Sequence, residues 1–236
     1  MQNPNIVTFD SDQQHLYVDL VKKSFDKSLN YQSKLPSWVL ELEGMSGKKY
    51  RHFINNLISS VPNCRYLEIG CWKGSTLCSA LYENNIVAYA VDNWSEFGGP
   101  KDEFQDNVNK TIAESSDDVD IDCQFEENHY KNIEFNNIGK YNVYLYDGPH
   151  AYEDQYNALT LGLEALDDEF IFICDDWNWD FLREATKKSI DDLNIEVLYS
   201  IELTTSQEDY EKGVCFQNSD WHNGYFISVC KRKTNK

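Results

Sequence analysis

From Arg65 onward the chain alternates short apolar runs with segments of helical period, and this alternation constrains the fold more than any other feature. Residues 65–70 (RYLEIG), 86–92 (IVAYAVD), 119–125, 141–146 (YNVYLY) and 169–174 (EFIFIC) read as strands. Their near-continuous apolar character is that of strands buried on both faces. Helices are predicted over about 74–82, 102–115, 152–166 and 180–193, with Asp180 as N-cap of the last. Strands alternating with helices imply right-handed crossovers and a parallel sheet. Residues 195–203 and 225–232 add two strands with no helix between them, so they pair antiparallel. The expectation is a Rossmann-like α/β fold: a seven-stranded, mostly parallel sheet, helices on both faces and an antiparallel last strand.

Residues 1–62 break that rhythm. Segments 13–28 and 48–60 look helical, and 44–51 (GMSGKKYR) reads as a basic, glycine-punctuated loop. We divide the chain into an N-terminal helical cap, 1–62, and a main domain, 63–236. The cap either packs on the sheet edge or forms a lid over the ligand crevice.

Glu68-Ile-Gly70-Cys71-Trp-Lys-Gly74-Ser75 follows the first strand and opens a helix. Gly70 suits a tight turn, and Gly74 suits close approach at the helix start. A dinucleotide fingerprint has glycine where this chain has Glu68. A carboxylate there repels a pyrophosphate but suits an ammonium or sulfonium, and S-adenosylmethionine (SAM) carries both. The next strand ends in Asp92, where such folds place an acid for the ribose hydroxyls. Asn93 follows, then Trp94, whose ring suits an adenine face. Glu126, Glu127 and Asn128 stand where a polar group reads the adenine amine. Taken alone, the glycine pattern is equally a plain strand–helix turn.

The fourth strand ends at Asp147-Gly148-Pro149-His150 and the fifth at Asp175-Asp176-Trp177. Neighbouring parallel strands lie about 4.8 Å apart, so these acids converge at the C-terminal edge of the sheet. Three carboxylates without a cation raise at least one pKa. Mg²⁺, which takes oxygen ligands and keeps positions for substrate, resolves the repulsion. His150 is then placed as general base on a substrate hydroxyl. The alternatives are local: an aspartate capping the next helix, Asp147-Gly148 as a turn, His150 as an ordinary loop histidine.

The bulk numbers exclude other classes. Net charge is −19, from 40 acidic and 21 basic residues, and the basic run 231–233 is the longest. A nucleic-acid partner needs a basic face, so none is expected. The acidic excess favours a neutral or cationic small molecule, or a bound metal. No apolar run approaches the roughly eighteen residues that span a bilayer, so no membrane partner is expected. Residues 1–10 lack the regions of a secretory signal, and seven scattered cysteines without a C-x-x-C pair fit a reducing compartment. A cytoplasmic location is the expectation. A homo-oligomer is compatible with everything in the sequence.

These motifs together resemble the class I SAM-dependent methyltransferases, over residues 65–232. The D-G-x-H-x-Y-E stretch at 147–153 and D-D-W at 175–177 resemble one subgroup, the Mg²⁺-dependent sugar O-methyltransferases of macrolide and aminocoumarin biosynthesis with the cephalosporin hydroxylase-like proteins. The resemblance implies SAM contacts from Glu68, Gly70 and Asp92. It also implies Mg²⁺ ligands at Asp147, Asp175 and Asp176, and His150 as base, while Pro149 and the single glycine at 74 depart from the usual pattern. The expected activity is methyl transfer from SAM to a hydroxyl of a small molecule or sugar, with a catechol-like phenol as second acceptor. Two rivals stay open: a metal-dependent hydroxylase or hydrolase on the same scaffold, and a SAM-fold protein that binds without turnover.

Overall fold

The computed structural model describes residues 2–233, so Met1 and residues 234–236, the outer ends of the two expected segments, lie outside it. One eight-stranded sheet runs through the molecule in the order β1-β7-β8-β6-β5-β2-β3-β4. Its strands are β1 (Asn5–Asp10), β2 (Arg65–Ile69), β3 (Ile86–Asp92), β4 (Ile121–Glu127), β5 (Tyr141–Tyr146), β6 (Leu166–Cys174), β7 (Ile195–Thr204) and β8 (Tyr225–Arg232). β2 through β6 are parallel, and β8 inserts antiparallel between β6 and β7.

The seven expected strands are joined by an eighth. β1 pairs antiparallel with β7, from Asn5 opposite Thr204 to Asp10 opposite Tyr199. All six of its residues are exposed. Backbone pairing holds it to the sheet, with no buried face to mark it in a hydrophobic pattern.

The helices are α1 (Leu16–Leu29), α2 (Ser37–Leu40), α3 (Lys48–Ser60), α4 (Ser75–Leu81), α5 (Lys101–Ala113), α6 (Tyr152–Gly162), α7 (Asp180–Asp192) and the short α8 (Gln207–Glu211). Side chains alternate across each strand. In β2, Tyr66 joins the core under α1, α3, α4 and α5, whereas Leu67 and Ile69 join the core under α6 and α7. Every residue of β5 is buried, which accounts for its unbroken apolar run.

Two local expectations change. Trp179 rather than Asp180 occupies the N-cap of α7, with Asp180 in the first turn. Lys48–Arg51 are the opening turn of α3, not a loop. Gly47 precedes them because an added Cβ would fall 2.3 Å from the Asp220 carbonyl carbon. The Lys48 and Tyr50 amides, which a helix start leaves without intrahelical partners, donate instead to the carbonyls of Ser219 and Asp220.

Candidate active site

The chain runs β2, β3, β4 in one direction, then returns to place β5 on the other side of β2. Such a switch point opens a crevice at the C-terminal ends of the strands. A cavity of about 40 Å³ lies there, and Gly70, Asp92, Asn93, Asn128, His129 and Pro149 are among its lining residues.

Gly70 lets β2 and β5 approach each other. Its φ is 87°. An added Cβ would sit 1.8 Å from the Asp147 carbonyl oxygen. Gly74, with φ 79°, starts α4, and its missing side chain leaves room for Phe104. Asp92 organises the turn between the two glycines. Its Oδ2 accepts the backbone N–H of Cys71 and of Trp72, each at 2.8 Å, and its Oδ1 accepts that of Trp94 at 2.7 Å. The four lone-pair sites of a carboxylate leave a remainder for a ligand hydroxyl.

Other expected cofactor residues lie away from the cavity lining. Glu68 is 1 % exposed, and its Oε2 accepts a 2.6 Å hydrogen bond from the Tyr66 hydroxyl. Burial drives its pKa up to about 8 against the pull of that bond, and the Asp92 charge adds to the rise. The Cys71 side chain is buried against the Val91 carbonyl. Ser75 Oγ lies 3.2 Å from Ser46 Oγ, under the α2–α3 connection. The Trp94 ring is buried with Phe104 and Phe125, at 5.0 and 6.1 Å between centroids. Its indole N–H donates to the Trp72 carbonyl, so it offers no face to the cavity. The Glu127 carboxylate pairs with Lys101, and Asn128 with His129 faces the cavity instead.

The acidic strand ends do meet. One ligand atom each from Asp147, His150 and Asp175 lies within 4.8 Å of the others. His150 Nε2 is 3.2 Å from Asp175 Oδ1 and 3.8 Å from Asp176 Oδ2. Burial, the charges of Asp175 and Asp176 and a hydrogen bond to Asp175 push Asp147 well above the usual carboxylate range. Asp175 goes the other way: burial would raise it, but the His150 charge and hydrogen bond hold it low. Burial would lower His150, yet Asp175 outweighs it and sets its pKa at about 9. Burial and the Asp175 charge lift Asp176 to about 7.

Distant segments complete the surroundings. His222, from the β7–β8 connection, brings Nε2 to 3.9 Å from Asp176 Oδ1, and that oxygen is buried without a hydrogen-bond partner. His222 Nδ1 accepts the Phe216 amide, so the neutral ring carries its proton on Nε2, toward Asp176. Burial holds its pKa near 4. Tyr50 of α3 stacks on Tyr225 of β8 at 3.7 Å between centroids. Burial is the main cause that raises both phenols, and the charges of Asp147 and Asp175 add to it. None of His222, Tyr50 or Tyr225 carries a motif; position at the end of a predicted strand was the one signal, and it applied to Tyr225 alone. The buried Asp175, the partly buried Asp147 and an imidazole at mutual ligand spacing, with the orphaned Asp176 oxygen beside them, fit a divalent cation.

Residues 67–177 match the family model described as a methyltransferase domain. The fold is similar to that of the O-methyltransferase from Bacillus cereus solved with S-adenosylhomocysteine (SAH), at TM-score 0.51 and 9 % identity, over 94 % of this chain and 93 % of that one. It is also similar to the precorrin-6y C5,15-methyltransferase of Geobacter metallireducens, at TM-score 0.50 and 14 % identity, over 77 % of this chain and 87 % of that one. The chain spans about half, 48 %, of the longer TrmN structure from Thermus thermophilus, at TM-score 0.48 and 10 % identity over 78 % of this chain. No curated protein sequence matches it. Residues 67–177 thus match a methyltransferase-domain model, and the Rossmann-like fold around them is the one these solved methyltransferases share.

Proposed function

We propose that this protein is a SAM-dependent O-methyltransferase that transfers the methyl group to a hydroxyl of a small neutral molecule, with a divalent cation at the acidic strand ends. One observation carries the reading: Asp147, His150, Asp175 and Asp176 converge at the strand edge that also holds the Gly70–Asp92 cavity. SAM supplies an electrophilic methyl group, and a bound Mg²⁺ acts as a Lewis acid that lowers the pKa of an acceptor hydroxyl.

Asp92 holds the Gly70–Trp72 turn and presents its remaining lone pairs to the ribose. Asp147 and Asp175 would hold the cation, with Asp176 as the adjoining donor. The charges of Asp175 and Asp176 keep His150 protonated, and a cation that drew off that charge would leave the imidazole neutral and able to take the acceptor proton as the hydroxyl attacks. Asp175 stabilises the resulting imidazolium. The buried phenol and indole rings around the centre exclude water, and the gain in rate comes mainly from alignment. The charge of the chain, −19, disfavours an anionic acceptor.

Calorimetry with SAM and SAH tests the cofactor, and both are expected to bind. Mass spectrometry of acceptors incubated with SAM, with and without a chelator, tests the metal. Transfer undiminished by the chelator removes the cation from the mechanism.

A further inference from the structure

Next to the acidic centre stand two large aromatic side chains that belong to neither core. Trp179 is 39 % exposed and Phe181 is 43 % exposed. Their rings stack at 5.8 Å between centroids with 19° between planes. Trp179 also meets the edge of His150, at 5.5 Å and 86°. The turn that carries it there begins at Asp176, whose φ is 51°, and is closed by the Trp179 amide donating to the Asp176 carbonyl. That is a left-handed conformation at a non-glycine residue, which the fold tolerates while leaving both rings partly exposed. Between the rings in sequence, the Asp180 carboxylate is 90 % exposed and pairs with Arg183.

The geometry points to an acceptor platform: Trp179 and Phe181 receive the flat face of a neutral ring whose edge hydroxyls reach His150 and the aspartates. This inference rests on the O-methyltransferase reading and adds to it the residues that select the acceptor. Size favours one small ring over a macromolecule. Side chains of this type bury 150–250 Å² each, so the exposed part of the pair is about 150–200 Å². A stable protein interface takes about 800 Å² from each partner. A single ring face matches the pair, and the ring electrons of tryptophan favour either C–H groups or another π face. A pyranoside and a catechol share this chemistry, a flat face with vicinal hydroxyls on its rim.

The test uses the full chain labelled with 5-fluorotryptophan, in the presence of SAH and Mg²⁺. Its six tryptophans give six fluorine resonances, and Trp179→Phe identifies the one that matters. Methyl glucopyranoside and catechol are titrated separately. The Trp179 resonance should move with at least one of them, and which one names the acceptor type. Trp179→Ala should weaken that probe by about ten-fold, the equivalent of one aromatic contact. SAH affinity and Tm should stay unchanged. If SAH binds but neither probe moves Trp179, or Trp179→Ala binds the probe as well as the parent, the platform is overturned. If the probe moves Trp179 while SAH fails to bind, the platform stands and the methyltransferase reading falls.

Discussion

Replacing Glu68 by glutamine should make the protein more stable, and increasingly so as pH rises. Glu68 is buried in the central strand β2, where its Oε2 accepts only the Tyr66 hydroxyl among the hydrogen bonds found in the described residues. Its pKa rises from 4.5 to about 8, first through burial. A carboxyl whose folded pKa exceeds its unfolded one stabilises the fold fully below the unfolded value. That contribution is lost as pH rises through the folded value. The window is therefore pH 4.5 to 8. At about 1.4 kcal/mol per unit, the loss is about 3 kcal/mol at pH 7 and about 5 kcal/mol above pH 8. Glutamine keeps the shape and the acceptor for Tyr66 but never ionises. Urea unfolding at pH 5 should separate parent and variant by less than about 1 kcal/mol, whereas at pH 9 the variant should lead by several. A gap that does not widen with pH refutes the account of Glu68 as a carboxyl strained by burial. A fall in SAM affinity alongside the gain in stability would show why a costly acid occupies this strand.

Three further outcomes follow from named contacts. Asp175→Asn should abolish Mn²⁺ binding, read from the electron paramagnetic resonance of the free ion, because Asp175 is shared by Asp147 and His150 in the donor set. His52 is 4 % exposed, and burial lowers its pKa from 6.5 to about 4. Its neutral form favours the fold above pH 6.5, and this is lost as pH falls toward 4, by up to about 3 kcal/mol; His52→Gln should flatten the stability curve over that window. Gln2 is 5 % exposed; its Oε1 accepts the Asp220 and Trp221 amides and its Nε2 donates to the Val214 and His222 carbonyls. Gln2→Ala should lower unfolding free energy by about 2–3 kcal/mol, since it strands buried backbone groups, and should speed hydrogen exchange over the β7–β8 connection.

The strand ends were legible because strands buried on both faces are continuous apolar runs, and an acid that stops such a run marks the sheet edge. Asp92, Asp147 and Asp175 all follow that rule, and a two-dimensional ordering of strands is enough to bring the last two together. Side-chain direction beyond a strand end was not legible. Trp94 turns into the core because its backbone is left-handed, at φ 46°, two residues past Asp92. Glu127 faces outward to Lys101, while Asn128, one residue on, faces in. β1 escaped for the opposite reason, since an exposed edge strand leaves no buried stripe.

His222 and Tyr50 were out of reach for a deeper reason. Both lie outside residues 67–177 and arrive at the acidic centre through long-range contacts between the two ends of the chain. Gln2 holds the connection that carries His222, and Ser219 and Asp220 of that connection cap the helix that carries Tyr50. The first and last segments thus form one unit over the centre. In the proposed reading the strand edge supplies cofactor and cation chemistry, while the two ends of the chain shape its surroundings. A change of acceptor in related chains would then track residues 2–60 and 205–224 more closely than the strand-end motifs, because only the latter are tied to the transferred group.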